Sequence, residues 1–460
     1  MRIISYSFRI KALLNWRTAW RTTTRNQHCS HIDRQVQPVG CAPRLALGEG
    51  QLYVPGAEDE HQSPFANWGA LRLENPYMPK LISDGLIRAA WFTIMICLYA
   101  AAVSQIALAQ VPQPHYRVDP FWPKELPRNW IVGQIGGMTV DSNDHIWVLQ
   151  RPGSDTPDEI GADPSSPRKA MCCVPAPPVL EFDKEGNLLN SWGGPGNGYD
   201  WPDVEHGIFV DRAGNVWIGG NGPTSRQVLK FTNDGKFIKQ IGHPSKGPAN
   251  SADTTLLGRP AGLEIDEGAH ELYISDGYLN KRVIVFDSDT LLFKRMWGGY
   301  GNTPNDADPG PYKGKGNAPI DQQFRSPVHC AHISKDGLVY VCDRANDRVQ
   351  VFTKQGKFLK EFFVRPETLE PGTVCDIAFS HDAGQEYLLV ADDTNNVIWT
   401  LRRSDGTLLG MMGHDGRNAG QFHAIHQLVS DSAGNLYSGE VETGKRIQKF
   451  LLVSGPTNSR

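Results

Sequence analysis

The sequence lacks the features that mark helical, nucleic-acid-binding and cysteine-ligated proteins. Long segments with a helical period of 3.6 residues are scarce, which argues against a mainly helical fold. No long run of Lys and Arg occurs in the 460 residues, and the formal net charge is −4, so we expect no nucleic-acid partner. No CxxC pair occurs, which argues against a zinc knuckle built from cysteines. The 47 Gly, 32 Pro and 12 Trp suit many short strands joined by tight turns.

An export signal is predicted over residues 78–109. The segment starts with basic residues, continues with an apolar run over 89–103, and ends in small residues at Ala107 and Ala109. We expect cleavage after Ala109 and a secreted or periplasmic protein with no membrane attachment after cleavage. An uncleaved signal anchor is the alternative, although the apolar run is short for a membrane span.

Residues 1–77 carry no repeat and are rich in Arg at their start. We interpret them as a non-native or disordered extension ahead of a true start at Met78, with a transit peptide as the alternative. The folded domain is then predicted over residues 110–460.

Five cysteines fall within that domain, and an odd number leaves at least one of them free in an oxidising compartment. Cys330 and Cys342 lie symmetrically about a predicted turn and could pair across two strands. The adjacent Cys172 and Cys173 are interpreted as two thiols in a packed loop, with a redox or metal-binding feature as the alternative.

From residue 133 onward the chain repeats one unit six times. Each unit has a strand, a turn near D-x-x-G-N, a second strand, a strand like RVQVF, and a last strand; "EHGIFVDRAGNVWIGG" is the first half of one unit. A four-stranded sheet cannot bury both faces alone, and radial stacking of the sheets buries them. The sequence therefore predicts an all-β fold, a six-bladed β-propeller of NHL repeats with four-stranded antiparallel blades. The last unit lacks its outer strand, which "HYRVDPFWP" before the first unit could supply.

The first strand of each blade lines the central channel, so equivalent positions form a ring. Counting back from the turns, the ring reads Gly136, His206, Ala261, His329, Cys375 and His426. The histidines occupy alternate blades and should converge at one point on the axis. Three neutral imidazoles with an open fourth position are typical of a catalytic zinc site, although imidazole also suits copper, iron and nickel. The alternative is three ordinary channel histidines bonded to water or backbone.

These residues resemble the peptidyl-α-hydroxyglycine α-amidating lyase family, a six-bladed NHL propeller. The similarity is strongest at "EHGIFVD", "YISDGYLNKRVIVF", "CDRANDRVQVF" and "IHQLVSD". The resemblance implies that His206, His329 and His426 hold zinc, and that Tyr278 and Arg151 are the catalytic pair. It also implies a small-molecule or peptide substrate with a C-terminal α-hydroxyglycine-like group, cleaved to an amide and glyoxylate. We expect a monomer.

The resemblance further implies a calcium ion held by the backbone carbonyls of Met138 and Ile208 and by an aspartate after the third histidine. That position is Gln427 here, and the family's methionine and cysteine near the site are Ala424 and Leu279. An amide oxygen can ligate calcium but carries no charge. The loss of the aspartate therefore argues against the calcium site, whereas the three histidines still predict a zinc site.

Tyr278 and Arg151 both follow the second strand of their blades, so they should lie at the same mouth of the channel. Zinc would bind the substrate hydroxyl, and Tyr278 could act as base if positive charge lowers its pKa. The alternatives are a surface-loop tyrosine and an Arg151 ion pair with Asp155 or Asp158.

Two long insertions leave blades one and three, and we expect them to form substrate-contacting rims. Two other functions stay open. One is a lactonase-like hydrolase, although such sites favour carboxylate and Asn ligands. The other is a non-catalytic propeller that binds protein or glycan.

Overall fold

The computed structural model describes Ala89, residues 91–96 and residues 112–455 apart from 166, 318 and 370. Of the predicted signal segment, only Ala89 and residues 91–96 are described, as an exposed helix. The predicted extension over 1–77 and the cleavage point after Ala109 lie outside the described residues. Within the described part of the chain, no helix has the length and apolarity needed to span a membrane.

Six four-stranded antiparallel sheets make up the fold, as predicted. In blades 1 to 5 the four strands follow one another along the chain. Blade 1 comprises Gln134–Val140, Ile146–Arg151, Val179–Phe182 and Leu188–Trp192. Blade 2 comprises Glu205–Val210, Val216–Gly220, Val228–Phe231 and Phe237–Ile241. Blade 3 comprises Gly262–Asp266, Glu271–Asp276, Arg282–Asp287 and Phe293–Trp297. Blade 4 comprises Val328–Ile333, Leu338–Asp343, Arg348–Thr353 and Phe358–Phe363. Blade 5 comprises Asp376–Phe379, Tyr387–Asp392, Val397–Arg402 and Leu408–Met412.

The sixth blade is built from both ends of the domain. Its inner strands are Ile425–Ser430, Leu436–Glu440 and Ile447–Ser454, and its outer strand is His115–Asp119. His115–Asp119 pairs antiparallel with Ile447–Ser454, with Tyr116 opposite Leu452. The expectation that "HYRVD" closes the ring is confirmed, and backbone hydrogen bonds join the first and last strands of the domain.

Six separate apolar clusters hold the blades together, one between each pair of neighbours. The second strand of blade 2 shows how. Val216 and Ile218 pack against blade 1, whereas Trp217 between them packs against blade 3. Successive side chains of a strand point to opposite faces, so each blade buries both faces only between two others.

The repeated D-x-x-G-N turn has a structural role. In blade 2 the carboxylate of Asp211 accepts hydrogen bonds from the backbone N–H of Asn215 and, at 3.1 Å, from the indole N–H of Trp217. Asp141 and Asp431 make equivalent bonds in blades 1 and 6. This side chain closes the turn and satisfies a buried aromatic donor at once.

Smaller elements complete the described fold. A short parallel pair joins Trp130–Ile131 to Val174–Pro175. Four single 3-10 turns lie at Pro127–Asn129, Pro152–Ser154, Gly299–Gly301 and Arg344–Asn346.

Of the two predictions about cysteine pairs, one is confirmed and the other is wrong. Cys330 and Cys342 form a disulfide across the first two strands of blade 4, as the turn symmetry suggested. Cys172 and Cys173 are also bonded to each other, so the prediction of two packed thiols was wrong. Adjacent residues gave no spacing from which to infer a bond. Cys375 is the free cysteine of the described residues, and it is buried.

Candidate functional site

Irregularities in three inner strands place the histidines. The pairing of the first two strands shifts between Glu205 and Ile208 in blade 2, which leaves His206 outside the regular ladder. The same shift surrounds His329 in blade 4 and His426 in blade 6. A β-bulge locally re-aims a side chain. Each histidine therefore points into the channel from a strand that is otherwise regular.

The three imidazoles converge on the axis, as the ring register predicted. Their ring centroids lie 4.7 to 5.0 Å apart. The Nε2 atoms of His329 and His426 are 3.1 Å apart. All three side chains are buried, and each can offer one ligand atom within 4.8 Å of the others.

Backbone carbonyls of the following blades set the tautomer of each ring. The Nδ1–H of His206 donates to the carbonyl of Ala261 at 2.7 Å, that of His329 to Cys375 at 2.5 Å, and that of His426 to Ile135 at 3.1 Å. Since a carbonyl only accepts, the proton of each neutral ring is on Nδ1, and the Gln427 amide nitrogen, 3.2 Å from Nδ1 of His426, then makes no hydrogen bond to that atom. Every Nε2 therefore presents a lone pair to the centre, as in metal-binding histidines oriented by a second hydrogen bond.

A buried Nε2 lone pair requires a partner, either a hydrogen-bond donor or a metal ion. Burial lowers the pKa of all three histidines, to about 3 for His329, so the rings are neutral. The hydroxyl of Tyr278 lies 3.0 Å from the Nε2 atoms of His206 and His329, but its single proton can serve one of them. The donor chemistry fits a metal ion held by His206, His329 and His426, and it makes them a candidate metal site.

Gly207 is a site residue that the sequence reasoning missed. Its φ is 77°, and a Cβ atom there would lie 2.4 Å from the carbonyl oxygen of Ala261. That oxygen accepts the Nδ1–H of His206. Glycine therefore lets the backbone of blade 2 approach the group that orients the first histidine.

Tyr278 and Arg151 lie close enough to interact electrostatically, and neither alternative for them holds. The hydroxyl of Tyr278 faces the histidines instead of solvent. Arg151 makes no ion pair with Asp155 or Asp158 among the described residues; it donates from Nε to the carbonyl of Glu205 and from Nη1 to Gln134. Its Nη2 is buried and has no hydrogen-bond partner in the described structure.

Arg344 is a second cation that the sequence reasoning missed. It lies beside Tyr278, pairs with Asp393 at 2.6 Å, and leaves its Nε buried without a partner among the described residues. The sequence does carry a signal for Arg344. This residue directly follows the second strand of blade 4, and the prediction of Tyr278 and Arg151 rested on the same position in their own blades.

Charge near Tyr278 does not lower its pKa overall. Burial raises the pKa of the Tyr278 hydroxyl, and the charges of Arg344 and Arg151 offset only part of that effect. Burial also raises the pKa of the Cys375 thiol, which lies near Arg344 and Asp393. In the protein without a bound cation, Tyr278 is therefore a protonated donor.

A cleft of about 680 Å³ opens beside Tyr278 and Arg344. Residues 308–311 of the insertion from blade 3 also line it. This insertion forms a rim of the site, as expected. The insertion from blade 1 does not line this cleft; its Ser154 and Glu159 bond to Lys445.

The channel continues below the histidines as a cavity of about 240 Å³. The residues implied for calcium, Met138, Ile208 and Gln427, all line it. The two carboxylates of its lining, Glu264 and Asp376, both bond to His332, at 3.0 and 2.8 Å. The two carboxylates share one imidazole, which offsets one of their two negative charges, so the donor set offers calcium little net negative charge. Calcium stays a prediction.

Fold and centre together define the class of protein: a six-bladed β-propeller with a candidate metal site on its axis. Its curated relatives are of two kinds. NHL repeat-containing protein 3 of Mus musculus is 28% identical over 253 residues, covering 53% of this chain and 58% of that protein. The probable peptidyl-alpha-hydroxyglycine alpha-amidating lyase of Caenorhabditis elegans is 24% identical over 222 residues, covering 48% and 56%.

A third relative is peptidyl-glycine alpha-amidating monooxygenase B of Xenopus laevis. It is 26% identical over 251 residues, covering 54% of this chain and 26% of that protein. Against the first of these relatives the chain spans little more than half of the relative's length, and against the monooxygenase about a quarter. No protein-family model matches the chain.

Among solved structures, virginiamycin B lyase from Staphylococcus aureus covers 74% of this chain and 90% of its own, at 14% identity and a TM-score of 0.40. A likeness this distant says nothing about the reaction.

Proposed function

We propose that the protein is an exported zinc-dependent lyase. It cleaves N-acyl-α-hydroxyglycine compounds, including peptides that end in α-hydroxyglycine, to an amide and glyoxylate. One observation carries the proposal: three oriented Nε2 lone pairs meet on the channel axis, with the Tyr278 hydroxyl 3.0 Å from two of them. Relatives named as amidating lyase and amidating monooxygenase support it.

His206, His329 and His426 would hold the zinc ion. Zinc with three imidazole ligands keeps an open position at which a substrate hydroxyl is polarised. The absence of a carboxylate from this group of three matches a zinc site better than a calcium-dependent lactonase site.

Tyr278 would move the proton. Its oxygen accepts the proton of the carbinol hydroxyl, and its own proton passes to the amide nitrogen as the carbon–nitrogen bond breaks. The electron pair of the former O–H bond forms the second bond of the new C=O group, which yields the aldehyde of glyoxylate, and the electron pair of the C–N bond leaves on the amide nitrogen, which takes the tyrosine proton. Because burial raises the pKa of Tyr278, a relay through a protonated tyrosine suits the site.

Arg151 and Arg344 would orient the substrate. Each has one buried guanidinium nitrogen without an acceptor in the described structure, Nη2 of Arg151 and Nε of Arg344. A substrate carboxylate beside Tyr278 would supply acceptors to both nitrogens.

Export is part of the proposal. It is supported by the predicted signal over residues 78–109 and by two disulfides in the propeller, which persist in oxidising compartments. We further propose that the mature chain acts as a monomer, without nucleic acid and without membrane attachment.

The test combines metal analysis with a turnover assay on the purified protein. We expect about one zinc per chain and release of glyoxylate from benzoyl-α-hydroxyglycine. Tyr278→Phe should keep the zinc and lose about 10²- to 10⁴-fold in kcat. The matched control is Tyr312→Phe, whose hydroxyl bonds to the Pro366 carbonyl outside the cleft.

A protein that contains no zinc and releases no glyoxylate would overturn the proposal and favour a non-catalytic propeller. Zinc binding with hydrolysis of a lactone and no glyoxylate would overturn the reaction while keeping the metal site.

A further inference from the structure

Lys281 is a buried cation without a carboxylate partner. The residue is 9% exposed, and its ammonium donates to the carbonyl of Ala307 at 2.6 Å. No carboxylate of the described residues forms an ion pair with it. The other two cations of the same cleft differ: Arg344 pairs with Asp393 at 2.6 Å, and Arg325 pairs with Asp321 at 3.3 Å.

Among the described residues, no carboxylate lies close enough to the Lys281 ammonium to form an ion pair. Burial of a charge without an opposite charge is unfavourable, and a backbone carbonyl compensates only part of that. The one carboxylate on the cleft lining, Asp308, accepts from the backbone N–H of Gly310. The missing negative charge can therefore come from a bound molecule.

The position of Lys281 connects it to the reacting centre. Lys281 and Tyr278 lie three residues apart on one loop, and both line the cleft of about 680 Å³. The cleft that Lys281 lines therefore extends to Tyr278, whose hydroxyl lies 3.0 Å from Nε2 of His206 and of His329. A single small molecule can contact both Lys281 and Tyr278.

Hydrogen bonds join the segments that surround Lys281 to one another. The carboxylate of Asp306 in the blade 3 insertion accepts from Ser251, at 2.9 Å from the backbone N–H and 2.5 Å from the hydroxyl. The Ser251 Oγ in turn accepts the backbone N–H of Lys281 at 2.9 Å. The insertion, the Ser251 loop and the Lys281 loop are therefore bonded to one another around the cleft.

We propose that the cleft binds an anionic group on the acyl portion of the substrate and that Lys281 pairs with it. The substrate class is a small N-acyl-α-hydroxyglycine whose acyl chain ends in a carboxylate. This inference rests on the proposed lyase function for the identity of the reacting group, and on Lys281 for the second charge.

Turnover and binding are measured separately. Turnover compares succinyl-α-hydroxyglycine with its neutral analogue butanoyl-α-hydroxyglycine. Binding compares the corresponding amides, succinamate and butanamide, by calorimetry on the zinc-loaded protein. We expect the wild-type protein to favour the charged compound by about 30-fold in kcat/KM and in affinity, as befits a desolvated charge pair.

Three variants distinguish the effect of the Lys281 charge from the effect of the hydrogen bonds that hold the surrounding loops. Lys281→Met removes the charge at similar length and should abolish both preferences. Asp306→Asn weakens the tie between the insertion and Ser251 while the Lys281 charge stays, and it should keep most of the preference. Lys313→Met removes an exposed lysine of the same insertion and should change nothing.

The outcomes distinguish the two proposals. Succinamate binding that depends on Lys281, without turnover of either substrate, supports the anion subsite and overturns the lyase. Glyoxylate release with no preference for the succinyl compound, or with a preference retained in Lys281→Met, overturns the anion subsite and leaves the lyase standing. If Lys281→Met does not fold, Lys281→Arg must retain the preference, and its loss there also overturns the subsite.

Discussion

The two ends of the central channel use histidines in opposite ways. At the upper end, three imidazoles donate Nδ1–H to backbone carbonyls and face one another with lone pairs. At the lower end, His332 lies between the carboxylates of Glu264 and Asp376.

The difference shows that the hydrogen-bond partners of a channel histidine decide its charge. Burial by itself lowers the pKa in both places. At the upper end nothing opposes it sufficiently, and His329 has a pKa of about 3. At the lower end Asp376 and Glu264 outweigh burial and raise the pKa of His332 to about 10. The upper end can accept a metal cation because its rings are neutral, whereas the lower end already contains a cation of its own.

Removal of one upper histidine should have the largest effect. His329→Ala is expected to lose the bound zinc and at least ~10³-fold in glyoxylate release, since the metal supplies several kcal/mol of stabilisation. Metal content after gel filtration and the turnover assay measure this. His145→Ala is the control, because His145 pairs with Glu181 away from the channel. Zinc retained at full occupancy in His329→Ala would contradict the metal site.

Removal of the lower histidine should lower the stability of the fold and leave the zinc content unchanged. His332→Gln leaves Glu264 and Asp376 without their cation, and we expect a loss of about 3 kcal/mol near pH 6. Because the folded pKa of His332 is raised to about 10, its contribution is fully present below the unfolded pKa of about 6.5 and is lost as the pH rises toward 10.

Denaturant unfolding of both proteins between pH 6 and pH 10 measures the difference in free energy of unfolding. A difference that stays constant over this range would show that His332 is not charged. Loss of zinc from His332→Gln would show that the two ends are not independent.

Gly207 offers a finer test of how the upper end is oriented. Gly207→Ala places a Cβ atom against the Ala261 carbonyl, and we expect a loss of about 10- to 100-fold in zinc affinity through the displaced hydrogen bond of His206. Gly214→Ala is the matched control, since Gly214 has a φ of 82° and no atom within 4 Å of the added Cβ. Competition with a chelating dye measures both. Equal effects in the two variants would assign the loss to backbone strain.

Calcium should have the smallest effect. We expect EGTA to leave the Tm of the wild-type protein unchanged, because the carboxylates of the lower cavity already bond to His332. Gln427→Asp adds a carboxylate to that cavity and should create a calcium-dependent rise in Tm of roughly 2 °C. A fall in the wild-type Tm with EGTA would establish the calcium site that the family resemblance implies.

Much of the fold and of the histidine site could be predicted from the sequence. The repeat predicted six blades, the ring register aligned His206, His329 and His426, and the turn symmetry suggested the Cys330–Cys342 pair. These patterns are local or periodic, so one sequence displays them. The vicinal bond of Cys172 and Cys173 was missed, as was Arg344, although Arg344 occupies a position already used for Tyr278 and Arg151.

The sequence by itself determined the propeller and the phase of its histidines, because strand alternation and turn chemistry depend on neighbours along the chain. Only the tertiary structure decided what those histidines meet. The carbonyls that orient them lie 46, 55 and 291 residues away. The same holds for the carboxylates around His332 and for the lack of an ion pair at Lys281 within the described residues. A charge or a lone pair acts through its spatial neighbours, and packing of separate blades is what brings those together.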